Sequence, residues 1–447
     1  MAADYIIKTK LIAAHDRPSI KWCLDSPKNE AQVSFEKLNN EGLLFRGWLL
    51  LSIKEEVEVC VLSGDQTFIV DFNENRPDVM RKVLTEADDR EQSLRCGFKV
   101  KLPLTNESFT VGFKHKGTFF PLLEGKVEGV LKVLKGEQEW LFLDNDSNNS
   151  VEQFTGKLLL SWTDKKQWKA YFNNILKLST KLSLTTAMLV APSKEMVYSE
   201  QYPHKRARKT PINQLLKIVP KNFKIIYPTE TLINMEQRSF RICDTHWTLH
   251  GAREASIMLA STLTGVDISE KRLFENDVYK QKETSGDLGN KLFPPQKCQE
   301  DYLSNYNYRK VAKFDNQLAN IGRVIIFYNQ TALFDKRLLI FGSSSAYTMF
   351  NYLTRIFQNV LFIHTAGNVD PEVIDVVKPD FLCTQTNARF VVRPPAVGVS
   401  LKEYIGEKIR QTPAVHRKPI RIAKFIPDGL SDDIAYFSGI HRELEKL

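Results

Sequence analysis

An acid and a histidine, Asp244 and His246, stand two positions apart just ahead of a helical run that begins near Leu249. If this stretch is extended, both side chains leave the same face, because side chains alternate along a strand. The carboxylate would then fix the tautomer of the imidazole and stabilise its protonated form, as a buried carboxylate does in serine triads. A neutral imidazole can remove a hydroxyl proton near neutral pH. The pair therefore predicts acid–base chemistry that needs a nucleophile.

The best candidate for that nucleophile lies in the segment 337–347, where an apolar strand, a turn of small residues and a helix follow one another. A serine in such a turn points its hydroxyl toward the free N–H groups of the helix start, which can also bind an oxyanion. Three serines, Ser343, Ser344 and Ser345, compete for this position. The alternative interpretation is that they only cap the helix.

An oxyanion needs donors aimed at the oxygen that becomes negative. We expect the backbone N–H of Ser344 to be one of them. Asn329, at the end of an apolar strand, and Tyr347, one helical turn beyond Ser344, are two further candidates. An asparagine that ends a strand is also ordinary turn chemistry, so this alternative stays open.

Two other groups compete with this interpretation of His246. His250 lies four residues later and could bind a metal together with His246, but no third ligand stands at a recognisable spacing. We therefore predict no metal site. Asp287 is a rival partner for the imidazole, although its Gly-Asp-Leu-Gly setting favours a turn.

The elements that must position these residues begin at about residue 126, where helical patterns alternate with compact apolar strands. Strands separated by helices predict parallel βαβ units and a layered α/β domain with a mainly parallel sheet. Ligands of such sheets collect at the carboxyl ends of the strands, and Ser344 directly follows one of them. A polar, strand-poor insertion at 269–310 is typical of a lid or binding loop. The predicted strands are 184–190, 223–227, 323–328, 338–341, 360–364 and 381–384.

Residues 1–125 show a different pattern, with short apolar or alternating runs separated by turn clusters. This pattern predicts a separate, smaller all-β sandwich domain. Its role is either to handle sugars or to dock and stabilise the larger domain. The runs are 43–51, 57–62, 67–72, 96–104 and 108–113.

The two reactive blocks and the segments around them resemble the SGNH-like O-acetyltransferases of the alginate acetylation type, in which Asp-x-His-Trp precedes Gly-x-Ser. The resemblance spans residues 126–400 and implies an SGNH-like fold. It places the nucleophile at Ser344, the base at His246 and the orienting acid at Asp244, with Ser343 where aspartate is commoner. Further landmarks in family order are 139–143, 191–194, 286–289 and 378–381.

Composition limits the setting of this chemistry. The chain has 447 residues, a formal net charge of +9 and six cysteines without C-x-x-C spacing, which we expect to be reduced thiols. Its start lacks a secretory signal pattern, and it has no apolar stretch of the roughly 18 residues that a transmembrane helix needs. We expect a cytoplasmic protein without a transmembrane segment. Nucleic acid is not an expected partner, because no recognition motif is present.

A basic block extends from Gln201 to Thr229, a stretch without aspartate or glutamate. Such a block would attract an acidic glycan or the phosphates of coenzyme A. The alternative is a solvated surface. The block includes Lys205, Arg206, Arg208 and Lys209, followed by Lys217, Lys221 and Lys224.

The resemblance implies transfer of an acetyl group, through an acyl-serine, to a hydroxyl of a bacterial surface or capsular polysaccharide or its precursor. Acetyl-CoA is the expected donor substrate in the cytoplasm, with no bound cofactor. A carbohydrate acetylesterase is the first alternative, because the same triad hydrolyses its substrate if water reaches the acyl-enzyme. A non-catalytic glycan-binding scaffold is the second.

Overall fold

The structure is a computed structural model that describes residues 4–13, 18, 20–51, 57–83, 95–130 and 132–445. The chain forms two compact units. The first comprises Met1–Val133 with Asp287–Lys297, and the second comprises Leu134–Gly286 with Cys298–Leu447. Residues 1–3, on which part of the expectation of a missing signal rests, lie outside the described residues.

The first unit contains nine antiparallel strands in two sheets among its described residues. Their sheet orders are β3-β1-β9-β8-β5-β6 and β2-β4-β7. The elements are β1 (Tyr5–Leu11), β2 (Ile20–Ser26), β3 (Ala31–Val33), α1 (Phe35–Glu41), β4 (Leu43–Leu51), β5 (Val57–Ser63), β6 (Gln66–Val70), α2 (Pro77–Val83), β7 (Gly97–Leu102), β8 (Ser108–His115) and β9 (Thr118–Gly129).

The two sheets of the first unit share one hydrophobic core. Phe45 and Phe98 from the smaller sheet are buried together with Phe109 and Phe113 from the larger one. The rings of Phe45 and Phe109 meet edge to face, with centroids 5.2 Å apart. Inner faces that interdigitate in this way define a β-sandwich, which confirms the prediction of an all-β architecture preceding the α/β domain.

The remaining elements belong mainly to the second unit. They are β10 (Val133–Lys135), β11 (Leu141–Leu143), α3 (Ser150–Phe154), α4 (Trp162–Leu182), β12 (Thr185–Ala191), α5 (Lys194–Val197), α6 (Pro211–Leu216), β13 (Ile225–Ile226), α7 (Thr229–Ile233), α8 (Leu249–Thr264), β14 (Tyr279–Thr284), α9 (Gly286–Gly289), β15 (Cys298–Leu303), β16 (Ala312–Asp315), β17 (Val324–Tyr328), β18 (Phe334–Gly342), α10 (Ala346–Ile356), β19 (Phe357–His364), α11 (Pro371–Val377), β20 (Phe381–Asn387), α12 (Leu401–Gln411), β21 (Arg421–Ile422) and α13 (Ser431–Glu445).

An eight-stranded sheet in the order β13-β12-β20-β18-β19-β17-β16-β21 forms the centre of the second unit. The first five strands in this order are parallel, whereas β17, β16 and β21 form an antiparallel edge. Consecutive residues of β18, from Leu338 to Phe341, are all buried, so both faces of the strand are covered. The predicted layered α/β fold with a mainly parallel sheet is confirmed.

The strand β17 is an exception to the predicted parallel pattern. Only the segment 329–333 separates it from β18, and a parallel connection needs about a dozen residues or more. The strand therefore runs antiparallel to its neighbour β19, with Tyr328 opposite Asn359. As a result, β17 ends on the side of the sheet where β18 and β19 begin, opposite to the side where those two strands end.

The insertion 269–310 also differs from expectation, whereas the C-terminal tail after Pro413 carried no structural prediction. The insertion is not strand-poor, because β14 and β15 pair as an antiparallel ribbon. Both strands are largely polar and accessible, so neither shows the apolar alternation by which strands are recognised. The tail ends in α13, which buries Ile434 and Phe437 in the core. Among the described residues, no helix combines the length and apolar character that a membrane crossing requires.

The core of the second unit can be tested at the two tryptophans of α4. Trp168 is fully buried and donates its indole N–H to the carbonyl of Val391 at 2.7 Å, whereas Trp162 is 75% exposed. We expect Trp168→Ala to lower the free energy of unfolding by about 3–5 kcal/mol through cavity formation. The matched control Trp162→Ala should change it by less than about 0.5 kcal/mol. Urea unfolding followed by circular dichroism measures both, and equal effects would contradict the assigned packing.

Candidate active site

Three side chains predicted to act together do meet in the second unit. The hydroxyl of Ser344 lies 2.9 Å from Nε2 of His246, and Nδ1 of the same ring lies 2.7 Å from Oδ1 of Asp244. Oδ1 also accepts the backbone N–H of His246 at 2.9 Å. The acid, the imidazole and the hydroxyl therefore form one continuous hydrogen-bonded chain.

Ser344 lies at the carboxyl ends of the parallel strands. The strand β18 ends at Gly342, and α10 starts at Ala346 after a turn closed by the N–H of Ala346 on the carbonyl of Ser343 at 3.0 Å. A Cβ at Gly342 would lie 2.9 Å from the ring of Phe362. Only glycine therefore fits this close approach, and the turn that follows presents Ser344 at the edge of the sheet.

The three competing serines have different partners. The backbone N–H and the hydroxyl of Ser343 both donate to Oε1 of Gln385, at 2.6 and 3.0 Å, and the hydroxyl of Ser345 donates to Oδ1 of Asn387 at 2.9 Å. Only the hydroxyl of Ser344 faces His246, as the alignment of the Gly-x-Ser block predicted. Ser343 occupies the position where aspartate is commoner, and there it links the turn to the neighbouring strand β20.

A buried lysine holds the irregular segment that bears Asp244. Lys194 is 3% exposed, and its ammonium donates to the carbonyls of Arg241, Ile242 and Asp244 at 3.1, 3.0 and 2.8 Å. Burying an ammonium is costly unless its donors find acceptors, and here three carbonyls supply them. The ammonium also lies 5.6 and 5.1 Å from the ring centroids of Trp140 and Phe142.

Other contacts fix the same segment from further sides. The indole of Trp247 donates to the carbonyl of Ser345 at 2.9 Å, which joins the His246 block to the serine turn. Glu300 accepts the N–H of Ile242 at 3.1 Å and pairs with Arg238 at 2.7 Å. The position of Asp244 is thus set by contacts from several elements.

A disulfide joins Cys243, next to Asp244, to Cys298 at the start of β15. The expectation that all six cysteines are reduced thiols is wrong for this pair, and the other four are free. The two partners are 55 residues apart, and only the folded chain brings them together. Sequence spacing therefore contained no signal for the pair.

The electrostatics of Asp244 favour its charged form. Burial raises the pKa of this carboxyl, but the hydrogen bond and charge of His246, with a further contribution from Arg241, hold the pKa well below its ordinary value. Gly286 packs directly against the carboxylate, since a Cβ there would lie 2.9 Å from Oδ2. Asp244 therefore remains ionised at neutral pH and can stabilise a protonated imidazole.

A narrow cleft of about 30 Å³ opens beside His246. Roughly 10–15 Å³ is needed to hold one water molecule, so the cleft admits only a small group. Burial raises the pKa of the Glu195 carboxyl on its wall, against the lowering effect of Arg389 and Lys194. The cleft is lined mainly by polar residues, including Ser150, Ser193, Glu195, Thr245, Ser345, Asn387 and Arg389.

Asn387 is a candidate site residue that the sequence analysis missed. It ends β20, the parallel neighbour of β18, and lines the cleft together with His246. Its Oδ1 accepts the hydroxyl of Ser345 at 2.9 Å, so the amide N–H groups are what it can offer to a ligand. The predicted strand 381–384 stops short of Asn387, and only the observed strand places this residue at the carboxyl end.

The structure does not bring the two other predicted oxyanion donors to the Ser344 hydroxyl. Asn329 follows the antiparallel strand β17 at the opposite sheet edge, where its amide donates to the carbonyl of Thr354 at 2.8 Å and its Oδ1 accepts the N–H of Thr331. The prediction for Asn329 is therefore wrong, and the alternative of turn chemistry is correct. The hydroxyl of Tyr347 instead lies 3.1 Å from Nδ1 of His364.

The remaining predicted groups lie elsewhere. All seven cations of the basic block are exposed, and none of them lines the cleft beside His246. Nε2 of His250 lies 3.0 Å from Oδ2 of Asp301. The absence of a metal stays a prediction.

Comparison with known proteins agrees with this geometry. Residues 133–337 match the family model described as the SGNH hydrolase-like domain of the acetyltransferase AlgX. The matched region is similar to this acetyltransferase domain, which confirms the resemblance noted in the sequence. The match includes Asp244 and His246 and ends before Ser344.

Three solved structures that resemble this chain have low sequence identity to it. PatB1 of Bacillus cereus shares 12% identity, with a TM-score of 0.43 over 59% of this chain and 100% of its own. The O-acetyltransferase domain of Pseudomonas putida AlgJ shares 15%, with a TM-score of 0.37 over 59% of this chain and 94% of its own. Pseudomonas aeruginosa AlgX shares 13% identity, with a TM-score of 0.32 over 57% of this chain and 62% of its own. No curated protein sequence matches the chain.

The role of Lys194 in holding the segment of Asp244 can be tested through the reactivity of Ser344. Lys194→Met keeps most of the side-chain volume but removes the ammonium. The carbonyls of Arg241 and Asp244 lose this donor, that of Ile242 keeps only the N–H of Leu141, and the segment of Asp244 is released. We expect labelling of Ser344 by an aryl sulfonyl fluoride to slow by about tenfold or more, because small misplacements of reacting groups cost up to about a hundredfold. Mass spectrometry of the labelled peptide gives the rate.

A control must separate positioning from general destabilisation. Trp168→Phe alters the core at α4, away from the Asp244 segment, and its unfolding free energy can be measured beside that of Lys194→Met. If labelling of both variants slows in proportion to their loss of stability, Lys194 has no specific positioning role.

Proposed function

We propose that this protein transfers an acetyl group to a hydroxyl of a glycan through an acyl-Ser344 intermediate. The observation that supports this most directly is the continuous hydrogen-bonded chain from Asp244 through His246 to Ser344. It lies in a chain whose residues 133–337 match an acetyltransferase family. An uncharged serine hydroxyl is a weak nucleophile until a neighbouring base removes its proton, and His246 is placed to do so.

In the first half-reaction, Oγ of Ser344 attacks the acetyl carbonyl while Nε2 of His246 takes the hydroxyl proton. The tetrahedral oxygen becomes negative and is stabilised by the backbone N–H of Ser344 and the side-chain amide of Asn387. When this intermediate collapses, the bond from the carbonyl carbon to the donor breaks. The leaving group takes the proton from His246, and the acetyl group stays on Ser344.

In the second half-reaction, His246 removes a proton from the acceptor hydroxyl, whose oxygen attacks the acetyl-serine. Collapse of the new tetrahedral intermediate forms the acetyl ester of the glycan and returns the proton to Oγ of Ser344. Asp244, held ionised, stabilises the imidazolium in both halves. The cleft of about 30 Å³ beside His246 suits an acyl group as small as acetyl.

The acceptor and the donor follow from the family and the expected setting. The acceptor is proposed to be a bacterial surface or capsular polysaccharide or a precursor of it. For a protein that acts in the cytoplasm, the proposed donor is acetyl-CoA.

The triad is tested by incubating the protein with an isotopically labelled acetyl donor, with and without candidate glycans, and locating the label by mass spectrometry. We expect Ser344→Ala and His246→Ala each to lower transfer by about a thousandfold or more, and the double variant to add little, because such residues act as a unit. Asp244→Asn should be milder.

Ser343→Ala and Ser345→Ala are the matched controls in the same turn, and both should keep substantial transfer activity. Loss in Ser343→Ala as severe as in Ser344→Ala would mean either that the nucleophile is wrongly assigned or that Ser343 orients the turn through Gln385. Label recovered only as free acetate, whatever the acceptor, would favour an esterase. Absence of any acyl-serine would favour a glycan-binding scaffold.

The compartment is tested at the cysteines. A cytoplasmic location remains the prediction from the sequence, but the Cys243–Cys298 disulfide favours an oxidising compartment. Rapid alkylation of thiols in intact producing cells, followed by mass spectrometry, should find this pair protected and Cys23, which is exposed, modified. Alkylation of both Cys243 and Cys298 would favour the cytoplasm and, with it, acetyl-CoA as donor.

A further inference from the structure

A second and much larger cavity lies in the same unit, between the antiparallel edge of the sheet and α10. Its volume is about 490 Å³. We call it the basic cavity, because four cations line it, together with a single acid among its described lining residues. The cations are Arg309, Arg323, Lys418 and Arg421, and the acid is Asp315.

Only one of these cations has its charge offset. The guanidinium of Arg323 contacts both oxygens of Asp315, at 3.1 and 2.7 Å, and lies 5.4 Å from the ring centroid of Tyr347. The cations Arg309, Lys418 and Arg421 have no ion-pair partner among the described residues. Three unbalanced positive charges therefore surround one cavity.

Two of those three cations come from the basic tail, for which the sequence suggested no role. The tail adds β21 to the sheet, where Arg421 pairs with Asp315 in the ladder and Ile422 with Phe314. This pairing brings Lys418 and Arg421 to the cavity. The tail lies beyond the family match, which ends at residue 337, so these two cations are not among the family landmarks.

The other wall of the cavity is aromatic. Tyr308, Phe327 and Tyr347 line it, and aromatic faces beside cations suit a ligand that combines a ring with negative charge. Tyr347 belongs to the first turn of α10, and its N–H bonds the carbonyl of Ser344 at 3.1 Å. The cavity therefore shares a wall with the nucleophile turn.

A neighbouring cavity of about 390 Å³ extends this space toward the triad. It shares Tyr308, Arg309 and Tyr347 with the basic cavity and is also lined by Arg241. Arg241 lies 3.8 Å from the carboxylate of Asp244. A ligand held in the basic cavity thus has an adjoining space that leads to the residues around the triad.

We propose that the basic cavity binds the diphosphate of a ligand whose adjacent ring packs on Tyr308, Phe327 and Tyr347. A single carboxylate would offset one of the three unbalanced charges, whereas a diphosphate ester offsets two or three, and guanidinium groups bind phosphate oxygens in a bidentate manner. Coenzyme A and nucleotide-linked sugars share this chemistry. The site is inferred from the cavity itself, and only its use for a substrate rests on the proposed acetyl transfer.

The test is a titration of the full-length Ser344→Ala protein, which cannot form an acyl-enzyme, with inorganic pyrophosphate. Lys418→Glu with Arg421→Glu, added to this background, should raise the Kd by about tenfold or more, because two charge-assisted contacts are lost and reversed. The matched control Arg206→Glu with Lys209→Glu makes the same change of net charge in the exposed basic block. Its Kd should stay within about twofold.

Coenzyme A and a uridine-diphosphate sugar are titrated as further arms. The one that binds more tightly than pyrophosphate in the Ser344→Ala background and loses that advantage in Lys418→Glu with Arg421→Glu identifies the source of the diphosphate. Arg309→Gln, on a different element, should weaken pyrophosphate binding in the same direction. This guards against an effect of the tail variants on folding.

Two results would overturn the proposal: no saturable pyrophosphate binding, or equal weakening in the tail and control variants. Neither affects the proposed acetyl transfer, which is judged separately from the acyl-Ser344 label on otherwise unaltered protein. Conversely, pyrophosphate binding with these variant effects would stand even if no acetyl transfer were found.

Discussion

The three hydrogen bonds from Lys194 to backbone carbonyls are the interaction on which the candidate site depends most. The segment that bears Asp244 has no regular secondary structure, and its carbonyls must therefore find donors outside a helix or sheet. One buried ammonium satisfies three of them. Because the carbonyls in turn satisfy the ammonium, removing either partner would leave buried polar groups without hydrogen bonds, which is strongly destabilising. This mutual requirement places a carboxylate accurately on an irregular segment.

The serine turn depends on a similar exchange of polar partners. A carboxylate is the commoner neighbour of the nucleophile in the family, and this chain has Ser343 there instead. The structure compensates with Gln385, whose amide oxygen accepts both the N–H and the hydroxyl of Ser343. Asn387, two residues later on the same strand, accepts the hydroxyl of Ser345. Neutral amides on β20 therefore orient the turn, and no negative charge is placed next to the oxygen that must itself become negative during acyl transfer.

The sequence was sufficient for the parts of the site that local pattern determines. The Asp-x-His block indicated that Asp244 and His246 act together, although the segment is a series of bends and not the extended stretch that alternation assumed. The strand–turn–helix pattern placed Ser344 at the carboxyl end of a strand. It failed where the answer depends on how strands are ordered in space. The prediction for Asn329 assumed that β17 is parallel to its neighbours. The predicted strands left residues 329–337 between them, but β18 begins at Phe334, and the remaining connection 329–333 is too short for a parallel crossover. Asn387 was missed because the predicted strand 381–384 ended before it, whereas β20 extends to Asn387. The Cys243–Cys298 pair had no sequence signal because its partners meet only in the folded chain.

The positive charges of the chain also show that sequence pattern does not reveal which residues meet in the folded protein. A window without acids drew attention to the block at Lys205 and Arg206, yet its cations are all exposed and none lines the cleft at His246. The cavity with unbalanced charge gathers cations from three separate parts of the chain: Arg309, Arg323 and the tail with Lys418 and Arg421. Density of charge along the sequence measures repulsion between neighbours, whereas binding depends on convergence of charges around one cavity. Pairing of β21 with β16 creates that convergence, so the short tail strand both extends the sheet and supplies two cations of the proposed diphosphate site.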